Sequence, residues 1–382
     1  MGPPRMCSPL IRFSLFLLVL AVSEETLCVG DEPELIRHVV IEPATKETPR
    51  SDTASIARLT DGRLMVVYHK YEGGKDSGRD HGLCRIWSKV SADEGKTWTM
   101  PRMLVDVAEG DMNVQAPALL RTKEGELLLI ALRAHRDGDS STMCLFRSND
   151  DGQTFAPSGV LWSKSKGQLL QGGTSSLLQL ESGRLLLPFH GGTGNQWRQK
   201  NSAWCLLKDK GETNWSKSTQ IDLPKRGAME ASVAQIADKS LLMTLRTQLG
   251  GPYVSRSSDE GKTWSKPVFS GLEGGESGTC LKRLPDTNDV VLFFNNSRYN
   301  TKHHHFGERT PLTCARSSDG GSTWRIVGQV VADPKAEYTN LDCFFTEEGN
   351  AILTYMYAKP AWNRDRIQLN AALIPRSWFD RR

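Results

Sequence analysis

Four apolar runs in this chain each end on a polar residue, His69, Arg133, His190 and Arg246, seven or eight residues past a turn position. The segments that open the same stretches carry a second set: Asp52, Gln115, Glu230 and Tyr338. Strand ends gain nothing structural from arginine and histidine. If the chain folds so that equivalent positions converge, these residues would line a polar site. Carboxylates there could move protons, and guanidinium groups could hold a polar or anionic ligand by charge-assisted hydrogen bonds. No Cys/His spacing suggests zinc, and this chemistry requires neither metal nor cofactor. The run His303-His304-His305 sits in a polar stretch without a partner motif and reads as a loop.

Converging equivalent positions require repeats, and the chain has them. A Ser-x-Asp-x-Gly-x-Thr-aromatic motif, an Asp box, occurs at Ser91–Trp98, Ser148–Phe155, Ser257–Trp264 and Ser317–Trp324, with a degenerate copy around Asp209, Gly211 and Trp215. A second marker, a tight turn followed by an apolar strand, begins at Asp61, Glu124, Ser182, Asp238, Asp286 and Glu348. There are six such turns, and each of the first five is followed by a box. In the box the Asp side chain accepts hydrogen bonds from a tight turn, Gly supplies positive φ, and the aromatic residue is a wedge between sheets. Repeats of this length with several short strands predict an all-β, six-bladed β-propeller. The boxes are its clasps rather than its chemistry.

The remaining composition limits the setting. Arg5 and Arg12 precede a mainly apolar run over residues 13–22 and a small-x-small site at Ala21-Val22-Ser23, which predicts a secretory signal peptide over 1–23. A lead-in over 24–44 and a single propeller domain over 45–382 follow, in a secreted or otherwise extracytoplasmic protein with no later membrane-length apolar segment. Loss of Arg5 and Arg12 lowers the net charge from +4 to +2, which gives no reason to expect nucleic acid as a partner. Six cysteines, from Cys84 to Cys343, are scattered about one per repeat inside strand-like runs and read as buried thiols.

Asp boxes in a six-bladed propeller resemble the pattern of the sialidases, the exo-α-sialidases of bacteria and animals. The resemblance covers roughly residues 45–375. Glu230 with Arg246, Arg309 shortly before the last box, and Tyr338-Thr-Asn-Leu341 are similar in order and spacing to the segments that carry that family's Glu, two of its three arginines and its Tyr. The resemblance implies removal of a terminal sialic acid from glycoconjugates, so that sialylated or other acidic glycans are the expected partners. Tyr338 would be the nucleophile, Glu230 its base and Asp80 the acid/base, with Asp76 and Asp52 as rivals for that last role. A neutral phenol suits a substrate whose own carboxylate adjoins the anomeric carbon. The first arginine is Arg50 or, less well placed, Arg58, because the family's Arg-Ile-Pro is replaced here by Pro49-Arg50-Ser51-Asp52. Asp52, Gln115, Arg133 and His190 complete the expected binding set. A propeller glycosidase for another sugar, and a non-catalytic carbohydrate-binding propeller, are the competing expectations.

Overall fold

The computed structural model describes residues 1–2, 35–74, 78–137, 140–164, 170–172, 176–193 and 200–381. The expected leader, Cys7, Cys28 and Asp76 lie outside the described residues. The chain divides into two units, Met1–Pro33 and Glu34–Arg382; the second is described below.

Apolar runs separated by tight turns build six antiparallel blades in chain order, the sixth and first joined into one sheet by the parallel pair Arg50–Ile367. The first blade holds Arg50–Arg58, Leu64–Tyr71, Cys84–Ser91 and Arg102–Val105; the second holds Asp111–Arg121, Leu127–His135, Ser141–Ser148 and Ala156–Lys164. In the third, Leu170–Gly172 and Leu178–Gln179 flank Leu185–Thr193, and Lys200–Lys208 pairs outward with Ser216–Lys217 and Ile221–Asp222. The fourth is Met229–Gln235, Leu241–Arg246, Tyr253–Ser257 and Val268–Phe269; the fifth is Cys280–Arg283, Val290–Asn295, Leu312–Ser317 and Arg325–Val331. The sixth takes Glu337–Phe345, Ala351–Ala358 and Ile367–Ile374 from the C-terminal end and its outermost strand, Arg37–Glu42, from the N-terminal end. The segment read from sequence as a lead-in thus supplies a strand. The molecule is a six-bladed β-propeller.

Hydrophobic burial is organised between blades. Six clusters of buried side chains each join one blade to the next, including one that joins the sixth to the first through Ile352, Leu369, Ile56 and Tyr68. Box aromatics sit in these seams against the preceding blade: Trp98 between blades 6 and 1, Phe155 between 1 and 2, Trp324 between 4 and 5. The clasp itself is uniform. In the first box Ser91 Oγ donates to Asp93 (2.8 Å) and accepts from Gly95 N–H (2.9 Å), while Asp93 accepts from the backbone and hydroxyl of Thr97 at 2.8 and 2.6 Å. The same bonds recur at Asp150, Asp259 and Asp319. Gly321, at φ 81°, shows why glycine is needed: a Cβ there would stand 2.4 Å from Leu242 of the preceding blade. The sixth blade has no box because its third and fourth strands come from opposite ends of the chain and no turn joins them.

The six cysteines from Cys84 to Cys343 are free thiols, buried except for half-buried Cys144. Among the described residues no helix is long and apolar enough to cross a membrane.

Candidate active site

The first strand of each blade lies nearest the axis, and among the described residues four of them carry an extra residue that interrupts the ladder to the second strand. These bulges fall at Thr53, Ala116, Glu230 and Asn340, with φ of 45°, 52°, 40° and 54°. Left-handed backbone at non-glycine residues is uncommon and gathers at functional sites. All four side chains line one cavity of about 230 Å3 at the end of the channel. Residues in the C-terminal half of the second strands reach the same cavity: His69, Leu132, His190, Arg246 and Met356.

Strand parity decides which expected residues arrive. Leu132 is the partner of Gln115 across the ladder, as Arg246 is of Met229. Arg133 is one residue further along and therefore on the other face. It is ion-paired with Asp111 and does not line the cavity, which corrects the expectation that it binds substrate. The same parity moves Tyr338. Thr339 and the bulged Asn340 face the cavity, so Tyr338 turns into the seam between blades 5 and 6, where it packs against Tyr355 and Tyr357 and is 1% exposed. Burial, with the Asp333 carboxylate, pushes its phenol up from its ordinary pKa. The nucleophile position expected for its hydroxyl is therefore not the position this geometry gives it. Asp52 is also absent from the cavity wall. It is fully buried behind it, accepting hydrogen bonds from Arg50 Nε, from Asn340 Nδ2 (both 2.9 Å) and from His69 Nε2.

Glu230, Asp80, Arg50, Arg246, Arg309, Gln115 and His190 do line the cavity. Asp80 comes from the loop between the second and third strands of blade 1. That loop is held by Asn113 Nδ2, which donates to the carbonyls of Asp80 and Gly82, and by Arg50, which donates to the Gly78 carbonyl (3.0 Å) and to Asp80 Oδ1 (2.6 Å). Burial opposes ionisation of Asp80, but the Arg50 guanidinium overrides it and holds the pKa down at about 2. Burial likewise opposes the charge on Arg50, and Asp52 and Asp80 more than offset it. Arg58 is at the other end of its strand, paired with Glu94 at 2.8 Å, and takes no part.

Across the cavity Arg246 Nη1 donates to Glu230 Oε1 at 2.5 Å, and its Nη2 lies 3.5 Å from Glu276. Arg309 is held more loosely: among the described residues the carboxylate paired with it, Glu337, is 3.7 Å away, and its Nε has no hydrogen-bond partner. Burial and the neighbouring Arg246 lower its pKa to about 10. A buried cation with spare donors beside a cavity is suited to an anionic ligand.

Sequence reasoning missed several members of the wall. His304, His305, Arg226 and Arg364 all line the cavity. The triple-histidine run is a loop, as read, but it is folded inward. Gly275 and Gly307 pack so closely that a Cβ on Gly275 would lie 2.9 Å from Gly307 Cα. His305 then stacks on Trp362 (centroids 4.4 Å apart), and buried Glu276 holds Arg226 at 3.0 Å. The pair Gly274-Gly275 before an acid was the one signal of this in the sequence. Among the described residues, no cluster of His, Cys, Asp and Glu side chains is arranged to hold a metal ion.

Fold and site together define an Asp-box propeller with an arginine-rich cavity lined, among the described residues, by two carboxylates. The chain belongs to the BNR repeat-like domain family, whose model matches residues 58–351. It is 27% identical over 314 residues to a sialidase of Bacteroides fragilis, an alignment that covers 71% of this chain; the chain spans only 53% of that relative's length. Among solved structures it is similar to a protein of unknown function from Dyadobacter fermentans (TM-score 0.67, 19% identity, 89% of this chain and 99% of the other). It is also similar to the NanB sialidase of Streptococcus pneumoniae (TM-score 0.68, 14% identity, 88% and 70%).

Proposed function

We propose that the protein is an exo-acting glycoside hydrolase of sialidase type, exported from the cell, that removes a terminal carboxylate-bearing sugar of the sialic acid class. The observation that carries this reading is the convergence of Arg50, Arg246 and Arg309, from three blades, on a cavity that also holds Asp80 and Glu230. The arginines bind the sugar carboxylate. Arg50 is shared between that carboxylate and Asp80. When the substrate takes Arg50's donors, Asp80 loses the partner that keeps it ionised, its proton affinity rises, and it can protonate the leaving oxygen. Glu230, oriented by Arg246, accepts a proton from the attacking group. The resemblance to sialidases would make that group Tyr338. With its ring in the blade seam, the group proposed instead is a water molecule, which becomes the new hydroxyl on the anomeric carbon as the glycosidic bond breaks. One-step displacement inverts the anomeric centre, whereas a tyrosine intermediate retains it.

The location of Tyr338 also favours a second reading, a hydrolase for a different acidic sugar. One experiment separates these. Fluorogenic α-sialosides and α- and β-uronides are incubated with the protein, and the first-formed product anomer is read by NMR. Sialoside cleavage with inversion supports the proposal. Sialoside cleavage with retention restores a covalent intermediate. Cleavage of uronides alone selects the second reading, and binding without any cleavage leaves a carbohydrate-binding propeller.

A further inference from the structure

Two of the four bulges are tied to the blade before them in the same way. The Ala116 N–H, on blade 2, donates to Nδ1 of His69 on blade 1 at 3.2 Å. The Glu230 N–H, on blade 4, donates to Nδ1 of His190 on blade 3, also at 3.2 Å. Both imidazoles lie in the C-terminal half of the second strand of their blade and are almost fully buried, at 4% and 1% exposure. An Nδ1 that accepts an N–H carries no proton, so each ring has its proton on Nε2. Burial favours that neutral form, lowering both pKa values to about 4 even against the neighbouring Asp52 and Glu230 carboxylates.

The twin at His69 separates architecture from chemistry. Its bulge presents an alanine, which has no reacting group, yet the imidazole makes the same bond. The bond therefore exists to hold left-handed backbone in place. At blade 4 the backbone so held is that of Glu230, at φ 40°, the furthest of the four from the left-handed minimum at about +57°.

We infer that His190 is a positioning residue: its Nδ1 latches the Glu230 bulge across the blade 3–4 seam and so fixes the direction of the Glu230 carboxylate in the cavity. Glu230's part in catalysis rests on the function proposed above; the latch itself does not. Removing it frees the bulge to relax toward ordinary φ, swinging the carboxylate away from Arg246. A misplacement on the order of 1 Å costs on the order of a hundredfold in rate.

The two ring nitrogens can be tested separately. Asn in place of His offers an acceptor near Nδ1, whereas Gln offers a polar group near Nε2. H190N is expected to lose about tenfold or less in kcat, and H190Q and H190L on the order of a hundredfold, with KM little changed. In all three, the rate of amide exchange at Glu230 reports the latch without any substrate: protection close to that of the native protein in H190N, and much faster exchange in H190Q and H190L. The inference is overturned if H190Q is the active variant, which would make Nε2 the working atom, or if Glu230 exchange is the same in all of them. If the native protein cleaves no acidic glycoside, the functional reading fails, and the exchange measurement still decides the latch.

Discussion

At the scale of single residues, the site depends on which face of a strand a side chain occupies. Tyr338→Phe is expected to keep at least a tenth of native kcat, because the hydroxyl is in a seam rather than the cavity; loss of nearly all turnover in a folded variant would return Tyr338 to the mechanism. Arg246→Lys should lower kcat/KM on an acidic glycoside by about 10–100-fold, since lysine cannot keep one donor on Glu230 and others for a ligand. Steady-state kinetics with unchanged melting temperature would establish that loss as chemical. Position relative to the turns made Glu230, Arg246, Gln115 and His190 legible as cavity residues, because it reports which end of a blade a residue occupies; Asp80 and Arg309 were legible only through the resemblance to sialidases. Position did not distinguish Leu132 from Arg133, or Thr339 from Tyr338. The bulges that set the parity are extra residues of ordinary type, Thr53, Ala116, Glu230 and Asn340, and without a glycine they carry no mark.

Elements were legible where local chemistry dictates them. Every turn and box marker became a turn; in the boxes an Asp that accepts from the backbone four residues on, with a left-handed Gly between, specifies its own geometry. Boxes join third to fourth strands, and so lie at the end of the blade away from the cavity. Asp259→Ala removes the bonds from Thr263 N–H and Oγ1 and from Ser257. It is expected to cost about 1–3 kcal/mol of stability, seen as a lower denaturation midpoint, with kcat/KM within about twofold of native. Long loops were less legible. Nothing local in His303-His304-His305 indicates that it folds inward; that follows from the distant contact of Gly275 with Gly307 and from Trp362.

For the whole molecule, three buried histidines link stability to pH. His69 and His190 have pKa values near 4 and His305 near 2, each lowered first by burial. Unfolded, each would titrate at about 6.5 and bind a proton that the fold excludes. Their contribution is present above pH 6.5 and is lost as pH falls from there toward 4, at up to about 1.4 kcal/mol per pH unit for each group. Thermal melts between pH 7 and 4.5 should show the midpoint falling throughout, and H190N should show a shallower slope. Asp80 cannot cause this fall, since it contributes stability above its ordinary carboxylate range and loses it only as pH approaches 2.

The outermost strand of the sixth blade, Arg37–Glu42, pairs with Ile367–Ile374. The ribosome makes the first of these before blades 1 to 5 and the second after them. Until Ile367–Ile374 has emerged, Arg37–Glu42 has no partner, and the seam between blades 6 and 1 stays open. Blades 1 to 5 can stack as they emerge, but the cavity, which needs Arg50 on one side of that seam and Asn340 on the other, forms only once the sixth blade has been made. A mechanical load applied at residue 37 would reverse this order, peeling that single strand away first and opening the ring at the blade that closed it.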